Sequence, residues 1–178
     1  MSTFNDSGFI PSRNIRRLEP SATLAVTQEA SRRRAAGEDI IDLSAGEPDF
    51  DTPRIVSDGA IRAIQEGKTH YPPNPGILDL RAAAASHLSV LSGGRPINAD
   101  NIVVSTGAKQ ALFNTCFTLF GPHDSVLIPT PAWVSYPQMI HLARANPVMV
   151  SGDPEFSLKV SVEDLEEASD ANTRGLVL

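Results

Sequence analysis

The stretch that decides the fold reads NIVVSTGAKQALFNTCFTLFGPHDSVLIPTPAWVSYPQMIHLARANPVMV over residues 101–150. Short apolar runs alternate there with longer patterns of helical period, which is typical of strands that alternate with helices. The runs predict strands at 102–105, 125–128 and 147–150. Helices are predicted between them, at 108–120 and 133–145. Because a crossover helix returns the chain to the same end of the sheet, we predict an α/β protein with a mostly parallel sheet and helices on both faces.

The flanking sequence continues the same alternation. Downstream, an acidic helix is predicted at 162–169 and a fourth strand at 175–178. Upstream, helices are predicted at 21–37, 53–67 and 77–91, and a short strand at 40–43. Ser21 and Thr52 are the predicted N-caps of the first two helices. The chain ends inside an apolar strand, and since a parallel strand normally leads into a loop and a crossover helix, this favours a fragment of a longer protein.

The composition excludes several classes of function. The chain has 178 residues, with 15 Lys and Arg against 21 Asp and Glu, so its net charge is −6. An acidic chain is a poor candidate for nucleic-acid binding, and no apolar run is long enough to span a bilayer. The single cysteine, Cys116, excludes a disulfide framework, and the four histidines are scattered. We therefore expect a soluble, cytoplasmic protein without a metal site and without nucleic-acid or membrane partners.

The strongest local signal is the turn between the strand at 102–105 and the helix that follows. A helix that begins directly after a strand presents unpaired amide groups and the positive end of its dipole, which suits a phosphate. Gly107 allows close approach of the backbone to a ligand, and Ser105 or Thr106 adds a hydroxyl. Many such turns bind nothing, and Lys109 either approaches a phosphate or lies on a solvated helix face.

Other candidate residues have two interpretations each. Trp133 follows a strand at the carboxyl end of the sheet, where its indole either stacks on a flat ring or packs at a helix N-terminus. Tyr136, one helical turn later, lines the same pocket or belongs to the core. Cys116 is predicted to be a buried, inert thiol. The arginines at 32–34 are predicted to form a solvated helix face near the helix C-terminus.

Five segments together carry a resemblance to a known family. They lie at 20–23, 44–53, 67–71, 106–114 and 133–137. In this order and spacing they resemble the N-terminal part of the class I aminotransferases, and most closely the bacterial aspartate aminotransferase subgroup. These are fold-type I enzymes that depend on pyridoxal 5'-phosphate. The resemblance covers nearly the whole chain from about Arg13 onward.

The resemblance implies a role for each matching residue. Gly46 is similar to the backbone contact of the substrate carboxylate, and Tyr71 to the tyrosine that reaches the cofactor phosphate of the other subunit. Gly107, Ala108 and Lys109 look like the phosphate cradle. The remaining match, Trp133, looks like the residue that stacks on the cofactor ring and borders the substrate.

One departure from the family pattern concerns the substrate. Relatives often carry a basic residue at the position of Glu19, near the distal carboxylate of a dicarboxylic substrate. A glutamate that faced the pocket would repel such a carboxylate. The small side chain of Ala132, where relatives often have an aromatic residue, implies a roomier pocket.

The resemblance implies an organisation and an activity. Residues 1–51 would form an N-terminal arm and a small-domain segment, and residues 52–178 the first part of a cofactor-binding large domain. The parent protein would be a homodimer that transfers an amino group from an aspartate-like amino acid to a 2-oxo acid. Alternatives are a transaminase for neutral or aromatic amino acids and a catalytically dead binding module. We expect the 178-residue chain alone to be inactive, because no lysine matches the Schiff-base motif.

Overall fold

A computed structural model describes residue 10 and residues 12–18, 22–44 and 46–178. Six α-helices are found, namely α1 (Ala22–Ala35), α2 (Arg54–Gln65), α3 (Leu78–Leu91), α4 (Gly107–Leu119), α5 (Ser135–Leu142) and α6 (Val162–Ala168). Three strands are found, namely β1 (Ser125–Thr130), β2 (Asn146–Ser151) and β3 (Thr173–Leu176). Single 3-10 turns lie at Ile15–Arg17, Ala99–Asn101 and Pro154–Phe156. These bounds belong to the described part of the chain.

The three strands form one parallel sheet in the order β2-β1-β3. β1 pairs with β2 along its whole length, from Ser125 opposite Asn146 to Thr130 opposite Ser151. On the other side β1 pairs in parallel with β3, and the ladder continues past β3 because the Val177 amide donates to the Leu127 carbonyl at 3.0 Å. Helix α5 connects β1 to β2, and α6 connects β2 to β3. The predicted α/β class with a parallel sheet is confirmed.

The core lies between the sheet and the helices α4 and α5. Val126, Ile128 and Ile140 have no exposed surface, and Cys116 of α4 is only 7% exposed. Full burial of one such aliphatic side chain is worth about 1.5–3 kcal/mol. Burial also raises the pKa of the Cys116 thiol. The prediction of a buried thiol is confirmed.

The chain divides into two compact units. One unit comprises residues 1–45 and 112–178 and contains the sheet and its core. The other comprises residues 46–111 and contains α2 and α3. Within the second unit α2 has no buried residue, and α3 buries only Ala85. The apolar side chains of α2, such as Ile55 and Ile64, are therefore exposed.

Two predicted strands are not formed within the described residues. Residues 102–105 pair with no strand and have no regular secondary structure, and the same holds for residues 40–43. A strand exists only where a neighbouring strand supplies the ladder of hydrogen bonds, and an apolar pattern alone does not supply it. The predicted N-cap Thr52 is also wrong, because Pro53 occupies the cap position of α2. The predicted cap of α1, Ser21, lies outside the described residues.

The arginine run lies on the exposed face of α1, as predicted. Arg32 and Arg33 both donate to the Glu29 carboxylate, at 2.7 and 2.8 Å. These hydrogen bonds, with Arg32 first, hold the pKa of Glu29 below its usual range. Arg34 instead donates to the Ile40 carbonyl at 3.2 Å. Exposed pairs of this kind contribute little to stability, so the run is a solvated helix face.

Candidate cofactor-binding site

The turn that opens α4 has the geometry expected of a phosphate site. The Gly107 amide donates to the Ser105 carbonyl at 2.8 Å, which closes a tight turn around Thr106. Gly107 has a φ of +79°, in the left-handed region that favours glycine. Helix α4 then runs for 13 residues, so its dipole is fully developed at this end.

A side chain of α4 also holds the turn. The Thr106 amide donates to Oε1 of Gln110 at 2.7 Å, so the helix's own first turn accepts the amide that precedes it. Gln110 lies in the segment at 106–114 that carries the family resemblance, but the sequence pattern does not predict this contact. In the sequence, the only sign of this contact is a glutamine four residues after the threonine of the turn.

The segment at 102–105, which leads into the turn, is held by hydrogen bonds with residues that are not part of the sheet. Arg81, whose side chain is only 12% exposed, donates through Nε to the carbonyls of Ala99 and Ile102, at 3.0 and 3.2 Å. The Val104 amide donates to the Pro75 carbonyl at 2.9 Å. These bonds replace a strand ladder and fix the direction in which the chain enters α4. Sequence reasoning did not single out Arg81.

The donor set of this turn fits the phosphate of pyridoxal phosphate. The first amides of an α-helix point out of its N-terminus, and α4 begins at Gly107, whose own amide donates to the Ser105 carbonyl. The hydroxyls of Ser105 and Thr106 are in the same turn. Amides, hydroxyls and a helix N-terminus are the groups that bind a phosphate dianion without a metal.

Trp133 lies where the sequence placed it, just after β1. Its side chain is 40% exposed, and its ring meets that of Tyr136 edge to face, with centroids 5.5 Å apart. Tyr136 packs against the core cluster, so it orients the indole from the core side. The indole is therefore partly accessible from solvent.

A hydrogen-bonded brace precedes Gly46. Asp42 accepts hydrogen bonds from the Ser44 hydroxyl at 2.5 Å and from the Ser44 amide at 2.9 Å. The Ser44 hydroxyl also lies 2.8 Å from the Thr27 hydroxyl of α1. The bonds from Ser44, with the hydroxyl first, hold the pKa of Asp42 below its ordinary value. The loop that leads to Gly46 is thus tied to α1.

The remaining predicted site residues are distributed as follows. Gly46, Tyr71 and the turn at 107–109 belong to the unit of residues 46–111, whereas Trp133 belongs to the other unit. The Tyr71 side chain is fully exposed. Glu19 lies outside the described residues.

Within the described ranges, no group of three or more His, Cys, Asp and Glu side chains is placed to hold a metal ion. None of the described helices is both long and apolar enough to cross a membrane.

Comparison with known proteins identifies the family. Residues 38–178 match the family described as aminotransferase class I and II. The chain belongs to this family. The aspartate aminotransferase of Bacillus subtilis is 41% identical over 161 residues, which are 90% of this chain and 41% of that protein. The probable aspartate/prephenate aminotransferase of Rhizobium leguminosarum is 42% identical over 90% of this chain and 40% of that protein.

The fold of this class I and II aminotransferase chain agrees with solved structures. The aspartate aminotransferase of Thermus thermophilus with maleate has a TM-score of 0.89 and 39% identity, and the match covers 96% of this chain and 44% of that one. The resemblance and the fold class predicted from the sequence are confirmed. The chain spans about two fifths of the length of the curated relatives that it matches.

Proposed function

We propose that this chain is the N-terminal portion of a pyridoxal-phosphate-dependent aminotransferase that moves an amino group from an amino acid to a 2-oxo acid. The observation that carries the proposal is the turn at 105–109, whose amides and hydroxyls open a 13-residue helix in a chain of this family. When bound, pyridoxal phosphate supplies an electron sink that stabilises negative charge at the substrate α-carbon. The parent protein needs further residues to complete the reaction.

The residues of this chain would bind and orient the cofactor. Gly107, Ala108 and Lys109 would form the cradle around the phosphate, and Trp133 would lie against the ring. Gly46 would place its amide at the substrate carboxylate.

The substrate class that we propose is a dicarboxylic amino acid. The relatives named above are aspartate and aspartate/prephenate aminotransferases, and the Thermus thermophilus structure holds maleate, which is a four-carbon dicarboxylate. Glu19 is the residue that opposes this choice. If it faces the pocket, Glu19→Lys raises kcat/KM for aspartate relative to a neutral amino acid, and an unchanged ratio shows that Glu19 faces solvent.

We further propose a homodimer in which Tyr71 serves the partner's cofactor. The full exposure of its side chain supports this role, because a side chain that reaches another subunit makes few contacts in its own. The division at residue 51 into a small-domain segment and a large domain, and the cytoplasmic location, stay predictions. Light scattering gives the mass of the assembly, and Tyr71→Phe is expected to weaken cofactor binding in the dimer by loss of one hydrogen bond.

The deciding experiment uses the complete natural protein that contains these 178 residues. The cofactor-loaded protein is assayed with 2-oxoglutarate and, in turn, aspartate, phenylalanine and alanine. Turnover with aspartate supports the proposal, and a preference for phenylalanine or alanine favours the alternative substrate class. A protein that binds pyridoxal phosphate but turns over none of them is a binding module, and the enzymatic proposal is then wrong.

A further inference from the structure

We infer that Gln110 is a positioning residue for the cofactor phosphate, and that this role requires an uncharged hydrogen-bond acceptor. The inference rests on the proposed function, since it concerns the turn that would hold pyridoxal phosphate. Gln110 is not a catalytic residue. It acts through the Thr106 amide and the direction of the amides that follow.

Two hydrogen bonds hold the turn: the Gly107 amide donates to the Ser105 carbonyl at 2.8 Å, and the Thr106 amide donates to Oε1 of Gln110 at 2.7 Å. The second bond joins the residue before α4 to the fourth residue of α4. It therefore fixes the peptide plane between Ser105 and Thr106 relative to the helix axis, along which the next amides point.

Asp and Glu are favoured in the first turn of a helix because they interact with its dipole, and glutamate has nearly the shape of glutamine and offers carboxylate oxygens as acceptors. On stability alone, glutamate would serve at position 110 as well or better. A carboxylate there would, however, stand beside the phosphate and cancel part of the positive potential of the helix end. A neutral amide provides the acceptor without that cost.

Thermal stability and affinity for pyridoxal phosphate are expected to respond differently to substitution of Gln110. Gln110→Glu is expected to retain or raise the thermal stability and to weaken pyridoxal phosphate binding by roughly tenfold at low ionic strength, with the loss shrinking as salt screens the repulsion. Gln110→Met keeps the length of the side chain and removes the acceptor. It is expected to weaken binding several-fold with no dependence on salt, because the Thr106 amide loses its partner.

The experiment titrates the cofactor-free complete protein with pyridoxal phosphate and, separately, with pyridoxal, which lacks the phosphate. Calorimetry at low and high salt gives the dissociation constants, and thermal unfolding gives the stability of each variant. Gln28→Glu is the matched control, since it adds the same charge at an exposed position of α1. The control is expected to leave both affinities unchanged, and Gln110→Glu is expected to change the affinity for pyridoxal phosphate alone.

The outcomes are distinguishable. If the unaltered protein binds pyridoxal phosphate no better than pyridoxal, then the proposed phosphate site itself is wrong. If the unaltered protein prefers pyridoxal phosphate and the Gln110 variants retain the full preference, the site stands and the role of Gln110 is refuted. Equal losses for both ligands in Gln110→Glu would also overturn the inference, because a phosphate-specific role cannot affect pyridoxal.

Discussion

The ring of Trp133 meets the ring of Tyr136 edge to face, and the Trp133 side chain is 40% exposed. In the complete protein, Trp133→Ala is expected to weaken pyridoxal phosphate binding by roughly 1 kcal/mol or more, which is about fivefold, through loss of aromatic contact. Trp133→Phe retains most of the contact and is the control. Absorbance titration measures both, and an unchanged affinity in the alanine variant would exclude a stacking role.

The Asp42–Ser44 brace makes a prediction about pH. Because Ser44 lowers the pKa of Asp42 from an ordinary value near 3.8, ionised Asp42 contributes stability at pH values above 3.8, and this is lost as the pH falls through the lowered pKa. Ser44→Ala is expected to raise the pKa of Asp42 towards 3.8. The stability difference between the two proteins is expected to be larger at pH 7 and to shrink as the pH falls through the lowered pKa, leaving only the part due to the Thr27 contact.

Carboxyl-carbon NMR of Asp42 measures this pKa directly, and thermal unfolding at pH 7 and pH 3 measures the stability. Ser44→Thr keeps the hydroxyl and is expected to titrate like the unaltered protein. A pKa of Asp42 that does not respond to Ser44→Ala would show that the hydroxyl hydrogen bond at 2.5 Å does not lower it.

At the scale of elements, β3 approaches the end of α4 so closely that it needs a glycine. A Cβ at Gly175 would lie 2.7 Å from Cζ of Phe120, well inside contact distance. Gly175→Ala is therefore expected to destabilise the protein by about 1–3 kcal/mol through overpacking. In a Phe120→Leu background the same change is expected to cost less, because the ring is gone. Additive costs in urea unfolding would contradict this packing.

The elements that could be predicted from the sequence are those whose own residues carry the pattern of burial. β1 was predictable because Val126 and Ile128 lie in an apolar run that is fully buried, and α4 because Gly107 opens it and its apolar residues recur at helical spacing. The segment at 102–105 has the same apolar character but no neighbouring strand in the described chain. An apolar pattern indicates that a segment is suited to strand pairing, but the topology of the fold decides whether a neighbouring strand is there to pair with it.

The candidate site was predictable to the same extent. The turn at 105–109 and Trp133 follow from position, since both come directly after an extended run. The contacts of Gln110 and Arg81 do not, because each depends on where a side chain meets a backbone group that is fixed by the fold. Side chain to backbone bonds of this kind leave no periodic trace in a sequence.

For the whole molecule, the exposed apolar surface predicts how the 178 residues behave alone. Ile55, Ile61 and Ile64 of α2 are all more than half exposed, and contiguous apolar surface of this kind promotes association. The isolated chain is expected to show a broad size distribution in gel filtration and no amino transfer between aspartate and 2-oxoglutarate. A monodisperse chain would contradict the first expectation, and measurable turnover the second.

Cys116 is the only cysteine of these 178 residues and lies in the core between α4 and the sheet, only 7% exposed. A thiol reagent cannot reach it until the core opens, so the rate of modification counts opening events without any engineered label. Cofactor that binds the closed form should slow this reaction in proportion to its occupancy. The rate at which Cys116 is modified would therefore measure how often the core opens.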